Sequence, residues 1–254
     1  MIHSAVILAA GMGSRLCRVL GCTCKQVVRI HSLELIMYPL VSLWRSGIKH
    51  FVVVTNPANY HLIDNVLQRY SDLMDITYKL EINPYIDTGN GNSALIGLKR
   101  FKNPVILSVS DHIYPPIMPS KLLECINKEA DIIVLGDPKP VLVDAGEATK
   151  IAVEKDMVLS ASKNLKQYDY IDTGIFIFKR PDRVVALFES SKPLKLAEIV
   201  SSKKIVSRVC EVNGAIWKDI DVFEDLEYVY NTELKKVVKD LVGALVSVYR
   251  RKYS

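Results

Sequence analysis

Residues 5–16, AVILAAGMGSRL, run from a short apolar stretch into two glycines, a serine and an arginine. A strand that delivers its chain to small residues and then to a cation suits an anion. Gly11 and Gly13 let the backbone turn tightly and bring its N–H groups against phosphate oxygens, and Arg15 adds a fixed charge with bidentate reach. Lys25 supplies a second cation ten residues further on. Glycines after a strand also serve plain turns, and on these residues alone that alternative stays open. Two rival phosphate motifs fail. The dinucleotide fingerprint needs a third glycine where Leu16 stands, and no Gly-Lys-Ser/Thr follows to make a P-loop.

Acids stand where a cation could use them. VILSVSDHIYP (105–115) ends a strand-like run with Asp111, and WKDIDVFED (217–225) offers Asp219 and Asp221. Their i, i+2 spacing in an extended segment sends both side chains to one face. Mg²⁺ is held by one or two carboxylates together with substrate phosphate oxygens, so one acid from each segment suffices. The plain alternatives are a solvated strand end for Asp111 and a helix N-cap for Asp221. Two further stretches offer groups for a second substrate: GEATKI (146–151) carries Lys150, and DTGIF (172–176) carries Asp172, Thr173 and Gly174. A surface lysine and a tight turn are their structural alternatives.

These residues need a sheet edge to gather on. Runs rich in Val and Ile at 4–10, 50–55, 75–81 and 104–110 are separated by helix-like sequence, which predicts a parallel sheet with helices on both faces. Residues 33–47 and 58–72 carry apolar side chains at helical spacing, the first closing on Gly47. Beyond residue 110 the rhythm changes: ADIIVLGD (130–137) continues it, while 148–164 reads as a hairpin turned at Lys155 and Asp156. The sheet is therefore expected to be mixed. Residues 172–180, 204–212 and 214–220 read as further strands, and 223–242 as one long amphipathic helix.

The bulk composition sets outer limits. Of the 254 residues, 49% are hydrophobic and 24% charged, the balance of an ordinary globular chain rather than a disordered one. Residues 233–254 account for +4 of the formal net charge of +5, so the body is nearly neutral and nucleic acid is not an expected partner. No apolar run approaches the roughly 20 residues of a bilayer span, and the start lacks a basic signal region, which points to the cytoplasm. The five cysteines, an odd number, favour a reduced compartment over a disulfide framework. Cys17, Cys22 and Cys24 crowd one loop, but a fourth ligand at zinc-finger spacing is missing.

LAAGMGSRL (8–16) resembles the signature of the sugar-phosphate nucleotidyltransferases, L-A-A-G-x-G-[ST]-R-[LM] followed by K-P. KQV (25–27) departs from it: Gln26 stands where the family has the proline that stiffens the lysine turn. GEATKI, YIDTGIFIF and WKDIDVFEDL, in this order, with the DH after the central strand and GNGNS (89–93), resemble the CTP:inositol-1-phosphate cytidylyltransferases within that family. The likeness runs to about residue 235. It implies a Rossmann-like α/β fold with a central, mostly parallel mixed sheet. It implies a catalytic domain over 1–235 and a basic tail over 236–254 that resembles a link to a membrane-embedded phosphotransferase, fused or separate, at the inner face of the membrane; a plain solvated helix end is the alternative for the tail.

The resemblance also assigns residues. CTP falls to Leu8, Ala9, Ala10, Gly11, Gly13, Ser14, Arg15, Lys25, Gly91, Asn92 and Asp111, and Mg²⁺ to Asp111 and Asp221 with Asp219 in reserve. Inositol 1-phosphate falls to His112, Glu147, Lys150, Asp172, Thr173 and Gly174. Arg15 and Lys25 are expected to neutralise the outer phosphates of CTP and Lys150 to aim the attacking phosphate. A monoester phosphate is mostly dianionic near neutral pH, since its second pKa is about 6, so no general base is needed. A different acceptor, phosphocholine or a sugar 1-phosphate, or a nucleotide sensor without catalysis, are the competing expectations.

Overall fold

The computed structural model describes residues 2–85, 89–190 and 194–253. In chain order its first half runs β1 (Ser4–Ala9), α1 (Ser14–Leu20), β2 (Arg29–Ile30), β3 (Leu33–Glu34), α2 (Met37–Arg45), β4 (His50–Thr55), α3 (Tyr60–Met74), β5 (Thr77–Ile82), α4 (Asn90–Leu98), β6 (Val105–Val109), β7 (His112–Ile113) and α5 (Ile117–Glu124). The second half runs β8 (Ile132–Asp137), β9 (Lys150–Glu154), β10 (Met157–Ser162), β11 (Tyr170–Phe178), α6 (Pro181–Phe188), α7 (Leu196–Val200), β12 (Ser207–Glu211), β13 (Lys218–Asp219), α8 (Asp225–Asn231) and α9 (Leu234–Tyr253).

Among the described residues nine strands form one sheet in the order β5-β4-β1-β6-β11-β8-β12-β10-β9. β1, β4, β5 and β6 pair in parallel, as their helical crossovers require, whereas β11 runs antiparallel to both β6 and β8. β1 shows why the run is apolar throughout. Ala5, Ile7 and Ala9 face a core built with α2, α3 and α9, while Val6 and Leu8 face a second one built with α4, α6 and α7. Gly97 permits the close seating of α4, since a Cβ there would lie 2.4 Å from a methyl of Val6.

The mixed sheet and the hairpin turned at Lys155 are as the sequence leads one to expect; Lys155 takes the left-handed φ of 59° that the turn needs. Two expectations are corrected. Residues 214–220 do not enter the main sheet: only Lys218 and Asp219 are extended, and they pair with β7. The helix expected over 223–242 breaks at Thr232, whose backbone is extended and whose hydroxyl accepts the Leu234 N–H at 3.2 Å, restarting the chain as α9. Leu234, Val238, Leu241 and Leu245 of α9 are buried in the same core as α2 and α3. Among the described residues no helix is long and apolar enough to cross a membrane.

The cysteines give a third correction. Cys17 pairs with Cys22 across the turn that ends α1, and Cys125 with Cys210, tying the turn after α5 to β12. Cys24 is left as a buried thiol. An odd count excludes complete pairing, not two pairs and a remainder, and the second bridge joins residues 85 apart that only the fold makes neighbours. The pairing of Cys17 and Cys22 also leaves no three-cysteine zinc loop.

Gly13 sits at the N-terminus of α1 with φ 59°, and a Cβ on it would fall 2.2 Å from Cβ of Lys25. The glycine loop and the lysine turn therefore touch through this one residue. Gly13→Ala adds backbone strain of roughly 1–2 kcal/mol to that collision. It is expected to weaken nucleoside triphosphate binding at least about tenfold by calorimetry with the far-UV spectrum unchanged, since ~1.4 kcal/mol is a factor of ten. Thiol titration in denaturant without reductant is expected to find Cys24 alone. Cys125→Ser, which opens the 85-residue loop, is expected to cost about 4 kcal/mol of stability in denaturant titration.

Candidate active site

The topology carries chosen residues to one edge of the sheet. Leu8 of β1 lies opposite Val109 of β6, so the glycine loop and Asp111 leave the sheet side by side. β11 runs the other way, with Ile175 beside Ser108, and thereby brings Asp172 and Gly174 to the same edge. The short ladder of β7 and β13 sets His112 opposite Asp219, and the Ile220 N–H donates to the Asp111 carbonyl at 2.9 Å. A segment from the end of the chain is thus laid against the central strand.

The glycine loop is shaped by two side-chain amides. Asn56 Nδ2 donates to the Ala10 carbonyl at 2.9 Å, and Gln26 Nε2 to the Gly11 carbonyl at 3.1 Å. In a trans peptide the N–H points away from its C=O, so holding these two carbonyls fixes the direction of the Gly11 and Met12 N–H groups. Gln26 is buried and its Oε1 accepts the Cys24 thiol at 3.3 Å. The residue that replaces the family's proline thus braces the turn with hydrogen bonds instead of a ring.

A cavity of about 230 Å³ opens beside this loop, lined by Leu8, Ala10, Gly11, Gly13, Lys25, Gln26, Asn83, Gly89, Asn90, Ser93, Val109, Ser110 and Asp111. Six of the residues expected to hold the nucleotide are in it. Ala9 faces the core instead, and Gly91 donates its N–H to the Leu194 carbonyl at 2.9 Å, facing α7. Ser14 and Arg15 stand on the exposed start of α1, and Asn92 does not line the cavity. Asn83, whose Nδ2 donates to Ser93 Oγ at 2.9 Å, is a wall residue with no motif to announce it.

Of the lining residues, Lys25 donates through Nζ to Asp111 Oδ2 at 2.8 Å and, beyond the lining, to Asp221 Oδ1 at 2.6 Å, while Arg15 takes the other Asp221 oxygen at 2.8 Å. Burial disfavours the Lys25 charge, but the two carboxylates outweigh it and raise its pKa above the ordinary lysine range. Burial likewise opposes ionised Asp111, yet Lys25 and His112 hold it well below the usual carboxylate range. The His112 ring, bonded to Asp111 Oδ1 through Nδ1 at 2.9 Å, is stacked on Trp217 with 5.7 Å between centroids. Its pKa is raised, because Asp111 overcomes the effect of burial.

The remaining expected residues are more dispersed. Glu147 reaches Arg15 at 3.8 Å between two largely exposed side chains. Asp172 accepts the Gly174 N–H at 2.8 Å, and burial pushes its pKa up to about 6 against the pull of that bond and of His112. Gly174 has φ 74°, and a Cβ on it would lie 2.6 Å from a Val109 methyl. The Thr173 hydroxyl is buried and donates to the Leu135 carbonyl, which turns it away from any ligand. Lys150 is buried, but its ammonium donates to the Lys163 carbonyl at 2.6 Å and lies over the Tyr168 ring. Asp219 is engaged by Lys218 at 2.9 Å.

Among the described residues no group of three or more His, Cys, Asp or Glu side chains is arranged to hold a metal ion. Two carboxylate oxygens nonetheless converge on one cationic atom, Lys25 Nζ, within 2.8 Å of each. A hard divalent cation that keeps most of its oxygens from water and phosphate needs no more protein ligands than that.

Comparisons with known proteins identify the family. Residues 4–236 match the family model described as nucleotidyl transferase. The chain is 31% identical over 246 residues to a bifunctional IPC transferase and DIPP synthase of Thermococcus kodakarensis, covering 96% of this chain and 53% of the relative. A protein of the same name from Rubrobacter xylanophilus is 31% identical over 230 residues, 87% of this chain and 50% of that one. The chain thus spans about half the length of these curated relatives. The solved inositol-1-phosphate CTP transferase of T. maritima superposes with a TM-score of 0.82 at 26% identity, covering 94% of this chain and 96% of that one. A UDP-glucose pyrophosphorylase complexed with UDP-glucose superposes with a TM-score of 0.77 at 16% identity, a likeness of fold. By the match across residues 4–236, with the glycine loop and the paired carboxylates lying inside it, the chain belongs to the nucleotidyl transferase family.

Proposed function

We propose that the chain transfers a cytidylyl group from CTP to inositol 1-phosphate, giving CDP-inositol and pyrophosphate. The observation that carries this reading is the meeting of Asp221 and Arg15 with Lys25 and Asp111, the last two lining the glycine-loop cavity. The relatives' names supply the choice of substrates. A phosphate oxygen of the acceptor attacks the α-phosphorus of CTP; that P–O bond forms as the bond to the β-phosphate oxygen breaks, and pyrophosphate leaves. The acceptor oxygen is already anionic, so the work left to the protein is positioning and electrostatics.

Gly11, Gly13 and their neighbours direct backbone N–H groups at the triphosphate. Arg15 and Lys25 neutralise charge on the β- and γ-phosphates as it grows on the leaving group. Asp111 and Asp221 fit Mg²⁺, which when bound supplies electrophilic stabilisation of the phosphoryl oxygens. On the acceptor side, pairing of β9 with β11 sets Lys150 opposite Ile171, next to Asp172. We assign the acceptor to this strand pair, with Lys150 on the phosphate and Asp172, Gly174, Glu147 and His112 around the polyol. The second activity in the relatives' names suggests that CDP-inositol passes to a phosphotransferase, on a further segment or a separate protein.

Two measurements test the reading. Pyrophosphate release assayed with four nucleoside triphosphates and three acceptors, with the product weighed by mass spectrometry, is expected to be fastest with CTP and inositol 1-phosphate; binding without release would make the protein a sensor. Asp111→Asn is expected to cut turnover at least ~100-fold, the loss typical of removing one element of electrostatic stabilisation, and activity within a few-fold of the parent removes Asp111 from the site.

Asp172 gives a pH signature. Its folded pKa, about 6, lies above the ordinary 3.8, so its contribution to stability is present below pH 4 and lost as pH rises through 6. Asp172→Asn keeps an acceptor for the Gly174 N–H and carries no charge. The variant is expected to gain Tm at pH 8 relative to pH 4; an equal difference at both pH values would show that Asp172 is not held in a disfavoured ionised state.

A further inference from the structure

The loop that carries Asp221 is held residue by residue. Lys218 and Asp219 pair with Ile113 and His112, and the Ile220 N–H donates to the Asp111 carbonyl at 2.9 Å. The next two N–H groups, of Asp221 and Val222, both donate to one atom, Asp225 Oδ2, at 2.7 and 2.8 Å. The other oxygen of Asp225 takes the Lys218 ammonium at 2.8 Å. Both members of this pair are buried, and the ammonium also reaches Asp219 and lies over the Tyr228 ring. The polar partners of Asp225, Asp221, Val222 and Lys218, are not among the residues that line the nucleotide cavity.

We propose that Asp225 and Lys218 are positioning residues that aim the Asp221 carboxylate at the cation site. The proposal rests on the reading of Asp221 as a cation ligand. Among the described residues the Asp221 oxygens accept from the side chains of Lys25 and Arg15, and the point from which the carboxylate reaches them is set by its backbone. That backbone is fixed by Asp225, and Asp225 is fixed by Lys218. The chemistry is particular to a carboxylate on a short stem. One oxygen must accept two converging N–H groups while the other faces an ammonium, and an Asn that keeps the first contact presents an NH₂ to Lys218. Removing a group that orients a metal ligand typically costs about 10–100-fold in metal affinity.

The test is Mn²⁺ binding, followed by electron paramagnetic resonance with the α,β-methylene analogue of CTP present, together with thermal denaturation. Asp221→Asn is the reference and is expected to weaken Mn²⁺ binding most. Asp225→Asn is expected to weaken it by about tenfold or more, with affinity for the analogue in the absence of metal unchanged. Lys218→Met, which leaves both N–H contacts of Asp225 in place, is expected to show a smaller loss in the same direction. Should Asp225→Asn lose cooperative unfolding, Lys218→Met decides alone. Parental Mn²⁺ affinity in a folded Asp225→Asn, or in Lys218→Met where that alone is folded, overturns the proposal if Asp221→Asn is impaired. Parental affinity in Asp221→Asn instead overturns the reading of Asp221 as a ligand and leaves the proposal without its premise.

Discussion

A buried lysine needs its charge answered, and in this fold the answer comes from two acids that the chain places 86 and 196 residues away. Lys25 is 4% exposed, and an unpaired ammonium at that depth is costly enough to be lost to neutralisation or unfolding. Asp111 and Asp221 are therefore needed by the folded state before any ligand arrives. Much of the architecture can be understood as what it takes to bring them there: a strand that ends at Asp111, and a two-residue ladder that turns residues 218–221 back against it.

The same constraint explains why the lysine turn and the glycine loop behave as one unit. Gly13 leaves room for the Lys25 stem, Gln26 holds the Gly11 carbonyl, and the Cys24 thiol holds Gln26. Burial raises the Cys24 pKa, so the thiol stays protonated and able to donate. The helix that follows the loop is closed at its far end by the Cys17–Cys22 bridge. A phosphate-binding backbone gains from such bracing, because N–H groups already aimed at an anion need no reordering when it binds.

Local signals in the sequence were sufficient for what is local in the structure. The glycine loop, the apolar strands and the turn at Lys155 each depend on residues within a few positions of one another, and each lies where the pattern places it. Asp111 was legible because it ends a strand. The residues whose surroundings the sequence does not announce depend on packing between distant segments: Gly91 faces α7 because Leu194 lies there, Thr173 bonds across the sheet to Leu135, and Cys125 meets Cys210 only when β12 joins β8. Asp225 reads in sequence as one more acid at the start of a helix. Its role is visible only when the two N–H groups that point at it are seen.

Charge conservation links the two ligands of the proposed reaction. Arg15, Lys25, Asp111 and Asp221 sum to zero, and every one of these charges has a partner among the others. A triphosphate brings about four negative charges to this neutral cluster, and it can recruit Arg15 and Lys25 only by drawing them from the two acids. Asp111 and Asp221 would then face each other and the phosphates with no cation between them, in a site where burial weakens solvent screening. A divalent cation removes that penalty, so nucleotide and cation should each raise the affinity for the other, as linkage requires of any two ligands that favour the same state. The ammonium of Lys25 holds the two carboxylates together, so on the proposed reading they are already assembled before a cation arrives.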